Sequence, residues 1–357
     1  MSRFLAEALS GIAPYTPGEQ PQGIADLLKL NTNENPYPPA PGVAEVLAGL
    51  DGADLRLYPD PTCARLKAAL ADFHGLPATC FSVGNGSDEI LDSCVQGLCG
   101  HGVAYPDITY SFYPALCALH GVQSTQVPLR DDFTWAPEDY AGCTQTIIVA
   151  NPNAPTGIAA PLEVLCALLE QDADRLVIVD EAYVDFGARS AVELLPDHDN
   201  LLVVRTFSKS RSLAGMRLAY AVASPELASD LEAIRFSFNP YNLDRIALAV
   251  AEASVADRAY FEQTCQTVAH TRDWTACELA ALGFDVLPSA ANFVFAAPPC
   301  DARSYVAALR AHGIIVRYFD APRIADRARI TIGTPDQMRR FVDTTRDILA
   351  QECPATA

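Results

Sequence analysis

Lysine is scarce in this 357-residue chain: Lys29, Lys67 and Lys209 are the only three, and arginine supplies the other basic side chains. Lys209 follows an apolar run, Leu201 to Val204, that reads as a buried strand and turns polar at Arg205, Thr206 and Ser208. A lysine partly withdrawn from water can lose its proton and condense with a carbonyl compound, which arginine cannot do. A solvated loop lysine is the plain alternative. Two other apolar runs also end in reactive types: Leu176–Val179 in Asp180-Glu181-Ala182-Tyr183, and Thr146–Ala150 in Asn151 to Gly157, which contains Asn153. A fourth stretch, Gly84-Asn85-Gly86-Ser87-Asp88-Glu89, precedes the apolar helix Ile90–Leu98. That order of strand, glycine turn and helix start aims free N–H groups at a phosphate, although Ser87 could equally be a plain cap.

The spacing of these runs says how they are brought together. Strands about thirty residues apart with helical material between them imply right-handed crossovers and a mostly parallel sheet. In such sheets ligands sit outside the carboxyl ends of the strands, which would gather Asn153, Asp180, Tyr183 and Lys209 at one edge. The fold class read here is α/β: a large unit with a mostly parallel sheet and flanking helices, plus a smaller α+β unit. The expected division is an N-terminal arm over 1–40 that packs on the small unit, a large domain over 41–250 and a small domain over 251–357. Prolines at 36, 38, 39 and 41 make the end of the arm extended. Lys67 falls outside the apolar stripe of a helix over Thr62–His74 and reads as a surface lysine. A largely helical stretch from Leu243 to Leu282 breaks near Ser254, and strands at Phe284–Leu287, Asn292–Phe295, Ile314–Tyr318 and Arg329–Ile332 follow.

Composition narrows the function. Half of the chain is apolar, so it is globular, and no apolar run reaches the length of a membrane span. The formal charge of −19 repels nucleic acid and anionic membranes. The eleven cysteines show no paired or zinc-type spacing and read as small buried apolar residues. The N-terminus lacks the core of a signal peptide, so a cytoplasmic protein without a metal is expected.

A lysine, a carboxylate, a phenol and a phosphate cradle at one sheet edge suit pyridoxal phosphate: its aldehyde needs the amine, its ring nitrogen an acid, its phosphate N–H groups and a cation. The chain resembles the fold-type I pyridoxal-phosphate aminotransferases of the class I/II branch, and among them the histidinol-phosphate aminotransferases. LNTNENPYPPAP at 30–41, LYPDP at 57–61, GNGSDEIL at 84–91, YPDITYSFY at 105–113, NPNAPTG at 151–157, VDEAYVDF at 179–186, RTFSKSRSLAGMRLAY at 205–220, SAANFVF at 289–295 and ARITIGT at 328–334 carry the resemblance.

The resemblance implies that Lys209 holds the cofactor covalently and moves the substrate proton, that Asp180 pairs with the ring nitrogen, and that Tyr183 meets the phenolic oxygen. It implies that Ser87, Asp88, Thr206, Ser208 and Arg217 hold the phosphate, that Tyr110 stacks on the ring, and that Tyr58 reaches a homodimeric partner's site. Arg329, Arg317, Tyr15 and Asn33 are implied for substrate. Ala154 stands where the family has an asparagine, so either Asn153 takes over its contact or Tyr183 makes it alone. For the arginines, pairing with the chain's own carboxylates is the alternative. The implied reaction is L-histidinol phosphate with 2-oxoglutarate to imidazole acetol phosphate and L-glutamate. An aromatic aminotransferase, a phospho-amino-acid decarboxylase and a non-catalytic cofactor-binding module are the competing readings.

Overall fold

The computed structural model describes every residue except 1, 10, 13, 14, 22, 24, 25 and 353–357. In chain order its strands are β1 (Leu28–Leu30), β2 (Phe81–Gly84), β3 (Val103–Pro106), β4 (Ser124–Val127), β5 (Thr146–Ala150), β6 (Val177–Asp180), β7 (Leu201–Thr206), β8 (Ala219–Ala223), β9 (Asp285–Val286), β10 (Phe293–Ala297), β11 (Ile314–Tyr318) and β12 (Ala328–Thr331). They form a seven-stranded sheet in the order β2-β8-β7-β6-β5-β3-β4 and a five-stranded sheet in the order β1-β11-β12-β10-β9.

In the larger sheet β8 runs antiparallel to β2 and β7, and the other neighbours are parallel. Helices cover both faces, so its central strands are buried throughout. Alternate residues feed two separate cores. Ile147, Val149, Val177, Val179, Leu201 and Val203 face one, and Ile148, Ile178, Leu202 and Val204 face the other. The mostly parallel sheet expected from the crossover spacing is what forms. Three of its strands were not legible in advance: β4 is an exposed polar edge, and β3 and β8 are short Ala/Val/Tyr runs without alternation.

The smaller sheet is antiparallel apart from β1, which comes from the N-terminal region and pairs parallel with β11, Leu28 opposite Ile314. Residues 31–40 have no regular structure, as their prolines require. The Asn35 amide donates to the main-chain carbonyl of Lys209 at 3.1 Å, which lays this segment over the turn after β7. The helical break lies at Asp257 rather than at Ser254, which is buried inside the helix Arg245–Ala256. Asp257 caps the next helix, Arg258–Ala281, by accepting from the Tyr260 N–H at 3.1 Å.

Lys67 is not a free surface lysine. Its side chain is only 14% exposed and its Nζ lies 2.7 Å from Glu232 Oε2, a partner supplied by a helix 165 residues further on, which a helical wheel of its own segment does not contain. Six of the ten described cysteines are buried. Among the described residues no helix is long and apolar enough to cross a membrane.

Candidate active site

Because β5, β6 and β7 are parallel and in register, Ala150 and Asp180 end their strands side by side, with the end of β7 beside them. A cavity of about 480 Å³ opens at this edge and reaches the smaller sheet. Lys209, Asp180, Tyr183, Ser87, Asp88, Tyr110, Thr206, Ser208 and Arg217 line it, and so do Asn33, Tyr15, Arg317 and Arg329.

Lys209 stands just past the end of β7, and its turn is set by the Ser208 N–H donating to Thr206 Oγ1 at 3.1 Å. Its Nζ donates to the Thr32 carbonyl at 3.2 Å and lies 5.9 Å from the Tyr183 ring centre. Among the described residues no carboxylate lies within ion-pairing distance of it, and the Glu34 and Asp180 carboxylates feel it only at longer range.

Asp180, 4% exposed, accepts from the Tyr113 hydroxyl at 2.9 Å and from the Ala182 N–H at 3.1 Å. Burial pushes its carboxyl up to about 6, against the pull of those two donors. Among the described residues no basic side chain pairs with it at close range, and Lys209 acts on it only from a distance. Its neighbour Glu181 projects the other way and meets Arg205 at 3.1 Å, while Asp185 also pairs with Arg205. Arg205, one of the polar residues at the end of β7, is therefore buried behind the site rather than in it.

Tyr183 packs edge-on to Phe293, ring centres 5.1 Å apart, and its hydroxyl accepts from Asn33 Nδ2 at 2.9 Å. Asn33 is itself fixed to the smaller sheet. Its N–H donates to Thr331 Oγ1, whose hydroxyl donates back to Asn33 Oδ1, both at 3.0 Å, and Asn292 donates to its carbonyl at 2.9 Å. The Tyr110 hydroxyl donates to Asp88 at 3.0 Å, and burial with that carboxylate nearby keeps the phenol protonated far beyond its ordinary range. Tyr15 stands edge-on to both Tyr110 and Phe112, at 6.1 and 5.4 Å.

Ser87 opens the helix Ser87–Leu98 after Gly86, whose φ of 86° favours glycine. A Cβ at Gly86 would also run into the Arg217 guanidinium. Among the described residues that arginine makes long contacts, 3.4 Å to Ser208 Oγ and 3.5 Å to both Asp88 and the Ala214 carbonyl, and it is nearly half exposed. First-turn N–H groups, the Thr206 and Ser208 hydroxyls and a loosely held guanidinium make a cradle for a dianion.

At the other end, Arg317 and Arg329 are directly opposite one another across β11 and β12. Arg329 Nη2 donates to the Asn31 carbonyl at 3.1 Å, its buried Nε has no partner, and its guanidinium lies over Phe293 and Phe319. Burial and the nearby Arg317 weaken its hold on its proton. Among the described residues neither arginine pairs with a carboxylate, so the alternative of internal ion pairing is not realised.

Asn153 is not brought to this cavity, and Tyr58, expected at a partner's site, lies outside it. Asn153 is buried behind its wall, donating to the Ile108 carbonyl at 2.9 Å and Thr156 at 3.1 Å and accepting from Thr109 at 2.8 Å; Ala154 and Pro155 line the cavity instead. Tyr58 is 77% exposed and stacks on Tyr241, ring centres 4.4 Å apart. Sequence reasoning missed Tyr113, which looks like a core aromatic, and Asn31 and Thr32, which act through main-chain carbonyls and leave no side-chain signal.

The residues present fit pyridoxal phosphate on the structure's own terms. Among the described residues neither the buried Asp180 carboxylate nor the Lys209 amine makes a close ion pair, and a glycine admits an arginine to a helix start. The family described as aminotransferase class I and II matches residues 25–344. Histidinol-phosphate aminotransferase 2 of Dechloromonas aromatica is 49% identical over 355 residues, covering 98% of this chain and 99% of that one. The Pseudomonas putida histidinol-phosphate aminotransferase is 49% identical over 346 residues, 96% of this chain and 99% of its own. Among solved structures, the histidinol-phosphate aminotransferase of Sinorhizobium meliloti in complex with pyridoxal-5'-phosphate superposes with a TM-score of 0.81 at 29% identity, over 90% of this chain and 91% of that one. With nearly its whole length matched and a lysine, a carboxylate and an anion cradle sharing one cavity, this chain belongs to the class I and II aminotransferase family.

Proposed function

We propose that this aminotransferase exchanges nitrogen between L-histidinol phosphate and 2-oxoglutarate, giving imidazole acetol phosphate and L-glutamate, with pyridoxal 5'-phosphate as cofactor. The observation that carries the reading is the unneutralised pair Arg317 and Arg329, which faces the same cavity as Lys209 and Asp180. Two adjacent guanidinium groups without a carboxylate suit a substrate that brings its own anion, a phosphate in one half-reaction and a carboxylate in the other. The names of the relatives at 49% identity support that substrate.

Bound pyridoxal phosphate supplies an electron-withdrawing ring that acidifies the substrate carbon bearing nitrogen. Ser87, Thr206, Ser208, Arg217 and the Asp88 N–H hold its phosphate. The Asp88 carboxylate is occupied by Tyr110 and Arg217 and serves to orient them. Asp180 keeps its negative charge toward the ring nitrogen, steadied by Tyr113 and the Ala182 N–H. Tyr183, aimed by Asn33, donates to the phenolic oxygen. Tyr110 would stack on the ring and Tyr15 would close the substrate end. Lys209 would anchor the cofactor, and its Nζ, set in the cavity beside the Thr32 carbonyl, would take and return the proton of the reacting carbon.

The working unit of the proposal is a homodimer in which Tyr58 reaches the partner's phosphate cradle. Tyr58, Tyr241, Leu57 and Phe238 are exposed, and Tyr58 and Tyr241 stack on one another, large side chains that a partner subunit would cover.

Recording the visible spectrum of the cofactor-loaded protein tests the reading. Adding histidinol phosphate should convert the cofactor to its amino form, and 2-oxoglutarate should restore it. A conversion by glutamate but not by histidinol phosphate would reject the substrate and keep the reaction.

A further inference from the structure

Away from the cavity, Cys166 and Glu170 stand one turn apart on the helix Leu162–Glu170, and His198 comes from the turn that leads into β7. Cys166 Sγ lies 3.5 Å from His198 Nε2 and 3.5 Å from Glu170 Oε1. The three ligand atoms all fall within 4.8 Å of one another. A tetrahedral zinc, with bonds of about 2.3 Å to sulfur and about 2.0–2.1 Å to nitrogen or oxygen, separates sulfur from its co-ligands by about 3.5–3.6 Å. Two edges of such a tetrahedron are already in place. The third closes by rotation of Glu170, which is exposed and free to turn.

We propose that Cys166, Glu170 and His198 form a three-ligand site for a zinc-type divalent cation, with the fourth position open to water. Thiolate, imidazole and carboxylate on one ion are a donor set suited to zinc and poorly suited to magnesium or calcium, which prefer oxygen alone. The surrounding field favours a cation. Glu170, Asp197 and Glu163 add negative potential at the sulfur, although Glu163 also pairs with Arg189 at 3.9 Å. Among the described residues neither Glu170 nor Asp197 is paired with a basic side chain. Zinc binding breaks the S–H bond, forms a Zn–S bond and releases one proton to solvent, so affinity falls as pH falls.

The site lies at the amino end of β7, and Thr206 and Lys209 lie at its carboxyl end, so about 20 Å of strand separates the two. The experiment titrates the pyridoxal-phosphate-loaded full chain with zinc, by calorimetry and by competition with a chromophoric chelator. The expected result is about one zinc per chain with proton release, and binding weakened about tenfold or more in both Cys166→Ser and His198→Ala. Cys277→Ser, an exposed thiol elsewhere, should leave zinc binding as it is. Transamination by Cys166→Ser should equal that of the parent protein. Zinc binding that is unchanged in Cys166→Ser and His198→Ala, or no binding at micromolar zinc, overturns the proposal.

Discussion

Arg317 and Arg329 occupy facing positions on adjacent antiparallel strands, and among the described residues neither meets a carboxylate. Like charges opposite one another in a sheet are destabilising, so an anion brought by the substrate relieves a cost already present. Arg329→Met should raise the KM for histidinol phosphate about 10- to 100-fold, the loss of a charge-assisted hydrogen-bonding group. The same variant should be less sensitive to inhibition by inorganic phosphate. Unaltered KM values for both half-reactions would remove Arg329 from substrate binding.

Lys209→Ala should lower the rate of the half-reaction by about 10²–10⁴-fold or more, since one group serves as both anchor and base. Lys209→Arg should not restore it, because a guanidinium keeps its proton. Lys67→Ala, which breaks the pair with Glu232, should lower the melting temperature and spare turnover.

Asp180 gives a pH prediction with a definite sign. Its folded-state value of about 6 lies above the ordinary 3.8, so in the cofactor-free protein it stabilises the fold below about pH 4 and loses that effect as pH rises through 6. Glu181, raised by burial to about 7, acts in the same direction. Asp180→Asn should therefore raise the melting temperature of the cofactor-free protein at pH 8 while weakening cofactor binding, by calorimetry and equilibrium dialysis respectively. Tyr113→Phe removes a donor that favours the carboxylate, so its loss of cofactor affinity on acidification should begin at a higher pH.

Tyr58 is tested by mixing two inactive proteins. In a dimer that shares it, a Tyr58→Ala chain and a Lys209→Ala chain rebuild one complete site per hybrid. Statistical reassortment of equal amounts should give about a quarter of the parent activity. No recovery after confirmed subunit exchange would place Tyr58 outside the site.

Gly86→Ala combines a left-handed backbone with a collision at Arg217. It should lower cofactor affinity more than it lowers melting temperature, because the cradle is disturbed and the core is not; dialysis and thermal denaturation separate the two.

Lys209, Asp180 and Tyr183 were legible because strands buried on both faces end in polar residues only where those residues are used. Which side each polar residue faces was also within reach: strand alternation puts Asp180 and Glu181 on opposite sides, and it separates Thr206 from Arg205. Tyr113 was hidden by its burial, since a phenol ringed by core residues reads as packing until its hydroxyl is seen on Asp180. Asn153 carried the right chemistry at the wrong position, and its side chain is spent on Ile108, Thr156 and Thr109. The partner of Lys67 lies in a distant helix and could not be read from its own segment.

Asn31, Thr32 and Asn33 are consecutive, and each holds a different functional group: Arg329, Lys209 and Tyr183. The carbonyls that hold Arg329 and Lys209 belong to the adjacent residues Asn31 and Thr32, so the interval from the reacting amine to the anion grip is gauged by a single peptide segment. A molecule shorter or longer than that interval satisfies one end at the expense of the other. Selection by length is thus written into covalent geometry, and it persists however the walls of the cavity are repacked.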